Sequence, residues 1–195
     1  MTPPSVALVG TGPVAWAIGL AQAAAAGRIV AVVSRDPGRA ALLAGASGAS
    51  GTVRIADALP AEVVIVAVAD HAVGAVGERL RDAAAGHDVL ALHTSGALPG
   101  ALLDGGGVRG GSLHPLQSLP RAGGADSAAR ALLLERLRGT HWFHEGAGAP
   151  EAVRLVAAWG GRFHALAPGG EALYHAGAAI LSNHTVALYH AAQRL

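Results

Sequence analysis

The sequence predicts an α/β fold, a doubly wound, mainly parallel β-sheet of the Rossmann type, followed by the start of an all-helical C-terminal domain. Apolar runs of strand length alternate with helical patterns through residues 6–166. A glycine-rich turn joins the first apolar run to the first helical pattern. A helical pattern without glycine or proline at its end covers residues 171–195. We therefore predict a dinucleotide-binding domain over residues 1–167 and the first helix of a helical domain over residues 168–195.

The glycine-rich turn lies in residues 6–19, which read VALVGTGPVAWAIG. In a Rossmann unit the first glycine makes the tight turn from strand to helix, and the second lets the backbone approach a pyrophosphate. The third small residue lets the helix pack closely on the strand. The open amides at the start of the helix favour an anion, and a proline is tolerated there. We predict that these positions bind the cofactor: Gly10, Thr11, Gly12, Pro13, Val14 and Ala15.

Composition excludes several other classes of protein. The formal net charge is +1, the arginines are scattered, and no run of aromatic residues accompanies them, so nucleic-acid binding is not expected. All 14 basic residues are arginine, which excludes a lysine base or Schiff base. The absence of cysteine fits a cytoplasmic protein. No His-x-x-x-His pair occurs, so no metal site is predicted.

An uncharged stretch over residues 6–27 raises the question of a membrane segment. A signal peptide would need a basic leader, which residues 1–5 lack. The Gly-Thr-Gly-Pro sequence and the predominance of alanine disfavour a membrane span. We therefore predict no membrane association.

The end of the second predicted strand, residues 29–33, bears on the choice of cofactor. An acid at this position usually binds the ribose 2′-hydroxyl of NAD, whereas a cation accommodates the 2′-phosphate of NADP. Ser34 and Arg35 occupy the strand end, and Arg39 follows one helical turn later. NADP is the predicted cofactor and NAD the alternative. In that alternative Asp36 is the ribose acid, although it could equally be a helix N-cap before Pro37.

Further strands are predicted over residues 53–55, 63–68, 88–93, 140–144 and 162–166, with another reaching residues 112–118. Residues 104–111 are predicted as a glycine-rich turn, residues 120–127 as a surface loop and residues 150–159 as a helix. Ligands of open α/β sheets bind at the carboxyl ends of the strands. Val68, Ala69 and Asp70 should therefore line the adenosine half of the cofactor, with Asp70 also a plausible helix cap. Thr94 and Ser95 should lie where the nicotinamide and the substrate meet.

The helical pattern of residues 171–195 places apolar residues at one face, and 195 residues are too few to cover it. With no stop signal at its end, the pattern predicts either a domain that is incomplete in this chain or one that borrows its packing partners from another subunit. We therefore predict a homodimer formed through this helical region. The stripe consists of Leu173, Ala176, Ile180, Ala187, Leu188 and Ala191.

Several segments together resemble a family of bacterial Rossmann-like proteins whose helical C-terminal domain has no known function. The segments are Gly10-Thr11-Gly12, Ser34-Arg35, Ala67-Val68-Ala69-Asp70, His93-Thr94-Ser95-Gly96-Ala97, His114-Pro115-Leu116-Gln117, Leu173-Tyr174-His175 and Ser182-Asn183-His184. The family is similar to the 6-phosphogluconate and β-hydroxyacid dehydrogenases, the prephenate dehydrogenases and the ketopantoate reductases. The resemblance implies a Rossmann domain that binds NAD(P) and a helical domain that closes over the substrate.

The resemblance also suggests site residues. The loop serine and the catalytic His-Pro of prephenate dehydrogenase correspond to Ser95 and His114. Asn183 matches the asparagine of the β-hydroxyacid dehydrogenases, but Ala179 stands where those enzymes have a lysine, so their chemistry cannot be transferred. His175 and Asn183 are two helical turns apart and should point to the same side, towards a buried stripe.

We predict an NADP-dependent oxidoreductase that acts on a small hydroxy or oxo acid. In this prediction His114 is the general acid or base, Ser95 orients the reacting oxygen, and Asn183 or His175 binds the substrate. A buried structural role for His114 is the competing interpretation. The alternative function is a catalytically silent NADP-binding sensor or subunit.

Overall fold

The computed structural model describes residues 2–120 and 126–194, with the exception of the Asn183 side chain. A single sheet of eight strands has the order β3-β2-β1-β4-β5-β6-β7-β8. Only β7 runs antiparallel to its neighbour β6 among these pairs. The strands are β1 Val6–Val9, β2 Ile29–Val33, β3 Gly51–Thr52, β4 Val63–Val66, β5 Val89–His93, β6 Val108–Pro115, β7 His141–Gly146 and β8 Arg162–Ala165. The predicted class, a mainly parallel doubly wound sheet, is confirmed.

Helices cover both faces of the sheet. They are α1 Pro13–Ala24, α2 Pro37–Ser47, α3 Asp70–Ala83, α4 Ser127–Leu137, α5 Ala149–Ala158, α6 Glu171–Ala179 and α7 Thr185–Ala192. Short 3₁₀ turns occupy Ile55–Ala58 and Gly100–Leu103, and a π turn, Ile180–His184, joins α6 to α7. Helices α1, α2, α4 and α5 contribute to the core on one face, and α3 packs on the other.

The central strands of the sheet are buried on both faces. All four residues of β1 and all four of β4 are buried, because strands in the centre of the sheet have helices on both faces. One polar side chain is part of this core. Gln22 of α1 donates to the Pro4 carbonyl at 2.8 Å and accepts from the Trp159 indole nitrogen at 2.9 Å, so its amide has partners at both ends.

Two boundaries differ from the prediction because local composition is a poor guide to pairing. Strand β6 begins at Val108, so only the first part of the predicted turn 104–111 is a turn. Gly110 and Gly111 lie inside the strand, where a side chain at Gly111 would meet the Ala147 carbonyl oxygen at 2.3 Å. The short strand predicted over residues 53–55 is instead Gly51–Thr52, followed by a 3₁₀ turn.

Two helix starts also need correction. Asp70 is not the N-cap of α3, because the cap is Ala69 and Asp70 is the first helical residue. The loop predicted over residues 120–127 ends where α4 begins at Ser127, a helix the prediction lacked, and residues 121–125 of that loop lie outside the described residues. Asp126 caps α4 by accepting from the Ala128 amide at 2.9 Å.

The C-terminal helical run is confirmed as nearly continuous from Glu171 to Ala192. The apolar stripe that the sequence predicted to be uncovered in this chain is exposed, with Leu173 82% exposed and Leu188 72% exposed. His175, predicted to face a buried stripe, is exposed as well. In the described part of the chain, no helix combines the length and the apolar character that crossing a bilayer requires. The domain division at residue 167 stays a prediction.

Candidate active site

The glycine turn lies at the carboxyl edge of the sheet, between β1 and β4. Gly10 has φ +119°, and a side chain there would lie 2.2 Å from the Ala67 carbonyl oxygen, so only glycine fits. Gly12 is different, because an added Cβ would meet no atom within 4 Å. Gly12 is the N-cap of α1, and Pro13 occupies the first turn. Ala15 is fully buried, which lets α1 pack closely. The turn therefore leaves open space directly before a helix N-terminus.

The end of β2 lies on the other side of this turn. The Arg39 guanidinium donates to the Thr11 carbonyl at 3.1 Å, which links α2 to the glycine turn. Asp36 is the N-cap of α2 and accepts from the Arg39 amide at 3.1 Å. The Ser34 hydroxyl accepts from the Asp36 amide at 3.2 Å, and Arg35 is exposed. The capping role of Asp36, one of the two alternatives left open by the sequence, is the one present here.

The ends of β4 and β5 continue the same edge. The Thr94 amide donates to the Val66 carbonyl at 3.1 Å, and the Ala67 amide donates to the Val9 carbonyl at 2.8 Å. Residues 67–70 and 94–96 therefore lie beside the glycine turn in a row set by the strand order. Val68, Ala69, Asp70 and Thr94 occupy the positions predicted for them along this edge.

His114 lies near the end of β6, and its partner comes from α6. Its Nδ1 lies 2.9 Å from the Tyr174 hydroxyl oxygen, a hydrogen bond across 60 residues of sequence. The Tyr174 ring stacks on Phe143, with ring centroids 4.1 Å apart. Phe143 pairs with His114 across the β6–β7 ladder, so both residues project from the same face of the sheet. In the tautomer with its hydrogen on Nδ1, that nitrogen donates to the Tyr174 hydroxyl oxygen, and Nε2 is left as the acceptor that can serve a substrate.

Burial determines the ionisation of this pair. Desolvation, with a smaller effect of nearby His175, lowers the pKa of His114 to about 4. Desolvation also raises the pKa of Tyr174 to about 12. At neutral pH the imidazole is therefore uncharged, and the phenol keeps its proton. An uncharged imidazole held in this way is suited to accept a proton.

Two other predicted site residues lie next to His114. Ser95 is 5% exposed, and its hydroxyl accepts from the Ala97 amide at 3.2 Å, which leaves its own hydrogen free to donate. A side chain at Gly96 would lie 2.9 Å from Cε1 of His114 and 2.9 Å from Nδ1 of His175. The loop after β5 therefore packs against both imidazoles, and Ser95 is the residue before Gly96 in that loop.

Asn183 lies in the π turn between α6 and α7, and its side chain is outside the described residues. Its predicted role in binding substrate stays a prediction. Among the residues described, no group of three or more histidine or acidic side chains has an arrangement that could hold a metal ion.

Sequence reasoning missed an acidic pair at this edge. Glu171 begins α6 and is 5% exposed, and its carboxyl group lies close to that of Glu145 in β7. The Glu145 carboxylate accepts from the Gly100 amide at 2.8 Å. Burial, together with the contact with Glu171, raises the pKa of Glu145. A polar residue in the first turn of a helix is normally exposed, so no local signal distinguished Glu171. The hydrogen bond between Tyr174 and His114 was also missed.

Two families of known proteins match separate parts of the chain. Residues 5–92 match the sequence model of the family described as NADP oxidoreductase, coenzyme F420-dependent. Residues 145–195 match that of DUF2520, a domain of unknown function. The resemblance to Rossmann-like oxidoreductases is confirmed. No curated protein matches the sequence.

Solved structures resemble this chain over most of its length. A Bacteroides fragilis protein, provisionally described as an NADP oxidoreductase, is 23% identical with a TM-score of 0.72 over 97% of this chain and 71% of its own. A Thermotoga maritima protein is 25% identical with a TM-score of 0.72 over 97% of this chain and 68% of its own. Prephenate dehydrogenase from A. aeolicus, solved with hydroxyphenyl propionate and NAD⁺, is 13% identical with a TM-score of 0.64. That match covers 88% of this chain and 62% of the dehydrogenase. At such identities the likeness shows the shared Rossmann fold.

Proposed function

We propose that this protein is an NADP-dependent oxidoreductase that transfers hydride between a nicotinamide and a small hydroxy or oxo acid. The observation that carries the proposal is the position of His114, an uncharged and oriented imidazole, on the same sheet edge as an open dinucleotide turn. The match of residues 5–92 to an NADP oxidoreductase family supports it. The structures of relatives solved with NADPH or NAD⁺ bound support a nicotinamide cofactor.

The described residues fit such a cofactor. The open space at Gly12 would admit the pyrophosphate, whose charge the α1 N-terminus favours. Ser34 and Arg35 would hold the 2′-phosphate of NADP, and Arg39 would support the glycine turn through its bond to the Thr11 carbonyl. Residues 67–70 and 94–96 would direct the nicotinamide towards β5 and β6. When bound, the nicotinamide supplies or accepts the hydride.

The chain's own residues would manage the proton and the substrate oxygen. The Ser95 hydroxyl donates a hydrogen bond to the reacting oxygen and so places it beside the imidazole. In the oxidation direction His114 Nε2 takes the hydroxyl proton as hydride leaves, and in reduction the same nitrogen returns it. Tyr174 positions His114 through Nδ1. His175, which is exposed beside Gly96, and Asn183 would contact the remainder of the substrate.

We further propose that the helical region forms a homodimer. Leu173 is 82% exposed, Leu181 is 77% exposed and Leu188 is 72% exposed, each about two helical turns from the next. Large apolar surfaces of this kind are characteristic of interaction sites. A second copy would cover this face and place further residues near His175.

Two matched glycine substitutions test the cofactor site. Gly12 and Gly45 each have space for a Cβ, so Gly12→Ala and Gly45→Ala should both fold. Only Gly12→Ala should weaken NADPH binding in calorimetry, by roughly tenfold or more, because the methyl group occupies the approach of the pyrophosphate. Equal NADPH affinity in the two variants, or no NADPH binding by the native protein, would refute the proposed cofactor site.

Turnover is tested by NADPH consumption with a panel of oxo acids and by NADP⁺ reduction with the matching hydroxy acids. Binding of NADPH without any turnover in this panel would favour the catalytically silent alternative.

A further inference from the structure

One row of polar side chains crosses the sheet beside His114. The ladder pairs His93 of β5 with Ser112 of β6, and Ser112 with Glu145 of β7. His114 lies two residues beyond Ser112 and therefore projects from the same face. Glu171 from the first turn of α6 covers the row and contacts Glu145. We refer to His93, Glu145 and Glu171 as the acceptor cluster.

The acceptor cluster contains buried hydrogen-bond acceptors that have no donor. His93 is fully buried, and its Nε2 lies 3.1 Å from the Pro99 carbonyl oxygen. A carbonyl can only accept, so Nε2 carries the hydrogen and Nδ1 is an acceptor. Neither Nδ1 of His93 nor Oε1 of Glu171 has a partner among the described residues. The cluster therefore contains two buried acceptors that lack donors, which is costly unless a ligand or water supplies them.

The acceptor cluster also has an excess of negative charge. The carboxyl groups of Glu145 and Glu171 lie close together, and burial together with the contact with Glu171 raises the pKa of Glu145. Asp104 acts on Glu145, and Asp70 acts on His93, so the nearby acids add to this charge. Burial lowers the pKa of His93, which keeps that imidazole uncharged at neutral pH. The chain has no lysine that could supply a compensating ammonium.

We infer that the acceptor cluster binds a protonated amine of the substrate, beside the carbon that reacts at His114. An ammonium group has three N–H donors and a positive charge, which meets both deficits of the cluster at once. A water molecule would supply two donors but leave the charge, and a carboxylate would be repelled. This inference rests on the proposed oxidoreductase function and narrows its substrate to an amine-bearing hydroxy or oxo compound.

Small probes of matched shape test the inference without knowledge of the substrate. Propylamine, propan-1-ol and propionate are titrated into the full chain at pH 7.5, with and without NADP⁺, and dissociation constants are obtained from concentration-dependent thermal shifts. Propylamine should bind at least about tenfold more tightly than propan-1-ol, and propionate should not displace it. Glu171→Gln keeps the shape but removes the charge, and should reduce propylamine affinity roughly tenfold.

Two further variants complete the test. Glu135→Gln removes an exposed acid from α4, on the opposite face of the sheet, and should leave propylamine affinity unchanged. Glu145→Gln should reduce propylamine affinity as Glu171→Gln does. It replaces Glu171→Gln in the test if circular dichroism shows that Glu171→Gln is not folded. Equal binding of amine and alcohol, or full propylamine affinity in a folded acid-to-amide variant of the cluster, would overturn the inference.

NADPH affinity is measured on the same samples. Loss of amine binding with intact NADPH binding in the native protein would overturn this inference alone. Amine binding without NADPH binding would support the acceptor cluster as an amine site and would refute the proposed function instead.

Discussion

Replacing Arg35 by alanine should abolish most of the preference of this protein for NADPH over NADH. Arg35 is the second residue after β2, at the strand end where Rossmann domains distinguish a 2′-phosphate from a 2′-hydroxyl. Asp36 is engaged as the N-cap of α2, so it is not free to bind a ribose hydroxyl without giving up that bond. Arg39 is tied to the Thr11 carbonyl. Arg35 is therefore the cation left to recognise the phosphate.

The expected magnitude follows from the exposure of Arg35. A charge-assisted hydrogen bond contributes about 1.5–3 kcal/mol, and exposure to water favours the lower end. A loss of about 1.5 kcal/mol corresponds to a roughly tenfold weaker affinity for NADPH. NADH has no 2′-phosphate, so its affinity should change little. Salt screens interactions between exposed charges. The preference of the native protein for NADPH should therefore also shrink as the salt concentration rises from roughly 0.05 to 0.5 M.

Isothermal titration calorimetry with both cofactors measures the effect, and the chain offers a matched control. Arg28 is an exposed arginine just before β2, at the opposite edge of the sheet, so Arg28→Ala should leave both affinities unchanged. Arg39→Ala should weaken both cofactors, because it removes the bond to the glycine turn. Equal affinities of the native protein for NADPH and NADH would refute the reasoning, as would an unchanged preference in Arg35→Ala.

Three further predictions concern catalysis, stability and assembly. His114→Asn should lower kcat by about 10²-fold with NADPH affinity nearly unchanged, and in the oxidation direction the native rate should fall only as the pH approaches about 4, where the imidazole is protonated. A parallel loss of cofactor affinity, or an acid limb near pH 6.5 in the free enzyme, would contradict this role. The pKa of His114 is about 4 in the folded chain and 6.5 when unperturbed, as in the unfolded chain. As the pH falls, the unfolded chain therefore binds this proton before the folded chain does. The free energy of unfolding should decline from pH 6.5 towards pH 4. Chemical denaturation should show a smaller decline in His114→Asn, by at most about 3 kcal/mol, and an identical pH dependence would exclude the burial of a neutral imidazole. Leu173→Glu with Leu188→Glu should shift the protein towards monomer in light scattering, because the two leucines are largely exposed on the helical region. A native protein that is monomeric at every concentration would contradict the proposed homodimer.

The sequence by itself determined the elements whose signals are local. Strand β2 has the predicted bounds, Ile29–Val33, because an unbroken apolar run between turn residues specifies a buried strand. The turn at Gly10 and Gly12 is equally local, since a positive φ and an open helix start each depend on single residues. The two-sided cover of the sheet follows from the alternation of such strands with helical patterns.

Only the tertiary structure determined the elements whose composition is a poor guide to how they pair or pack. Gly110 and Gly111 look like turn residues but lie within β6, because neighbouring backbone approaches too closely for a side chain. Helix α4 has a Leu-rich sequence with a weak apolar face, and its burial is set by Leu133 and Leu137 packing on the sheet core. Helix propensity is a weak guide when such packing decides.

The candidate site shows the same division. The placement of His114 and Ser95 at this edge could be predicted, because each lies at the carboxyl end of a strand, where ligands of such sheets bind. Tyr174 and Glu171 could not, because their roles arise from contacts with His114 and Glu145 across long stretches of sequence. Such contacts leave no periodicity in the chain. The burial that lowers the pKa of His114 and leaves an acid without a donor exists only once α6 packs on the sheet.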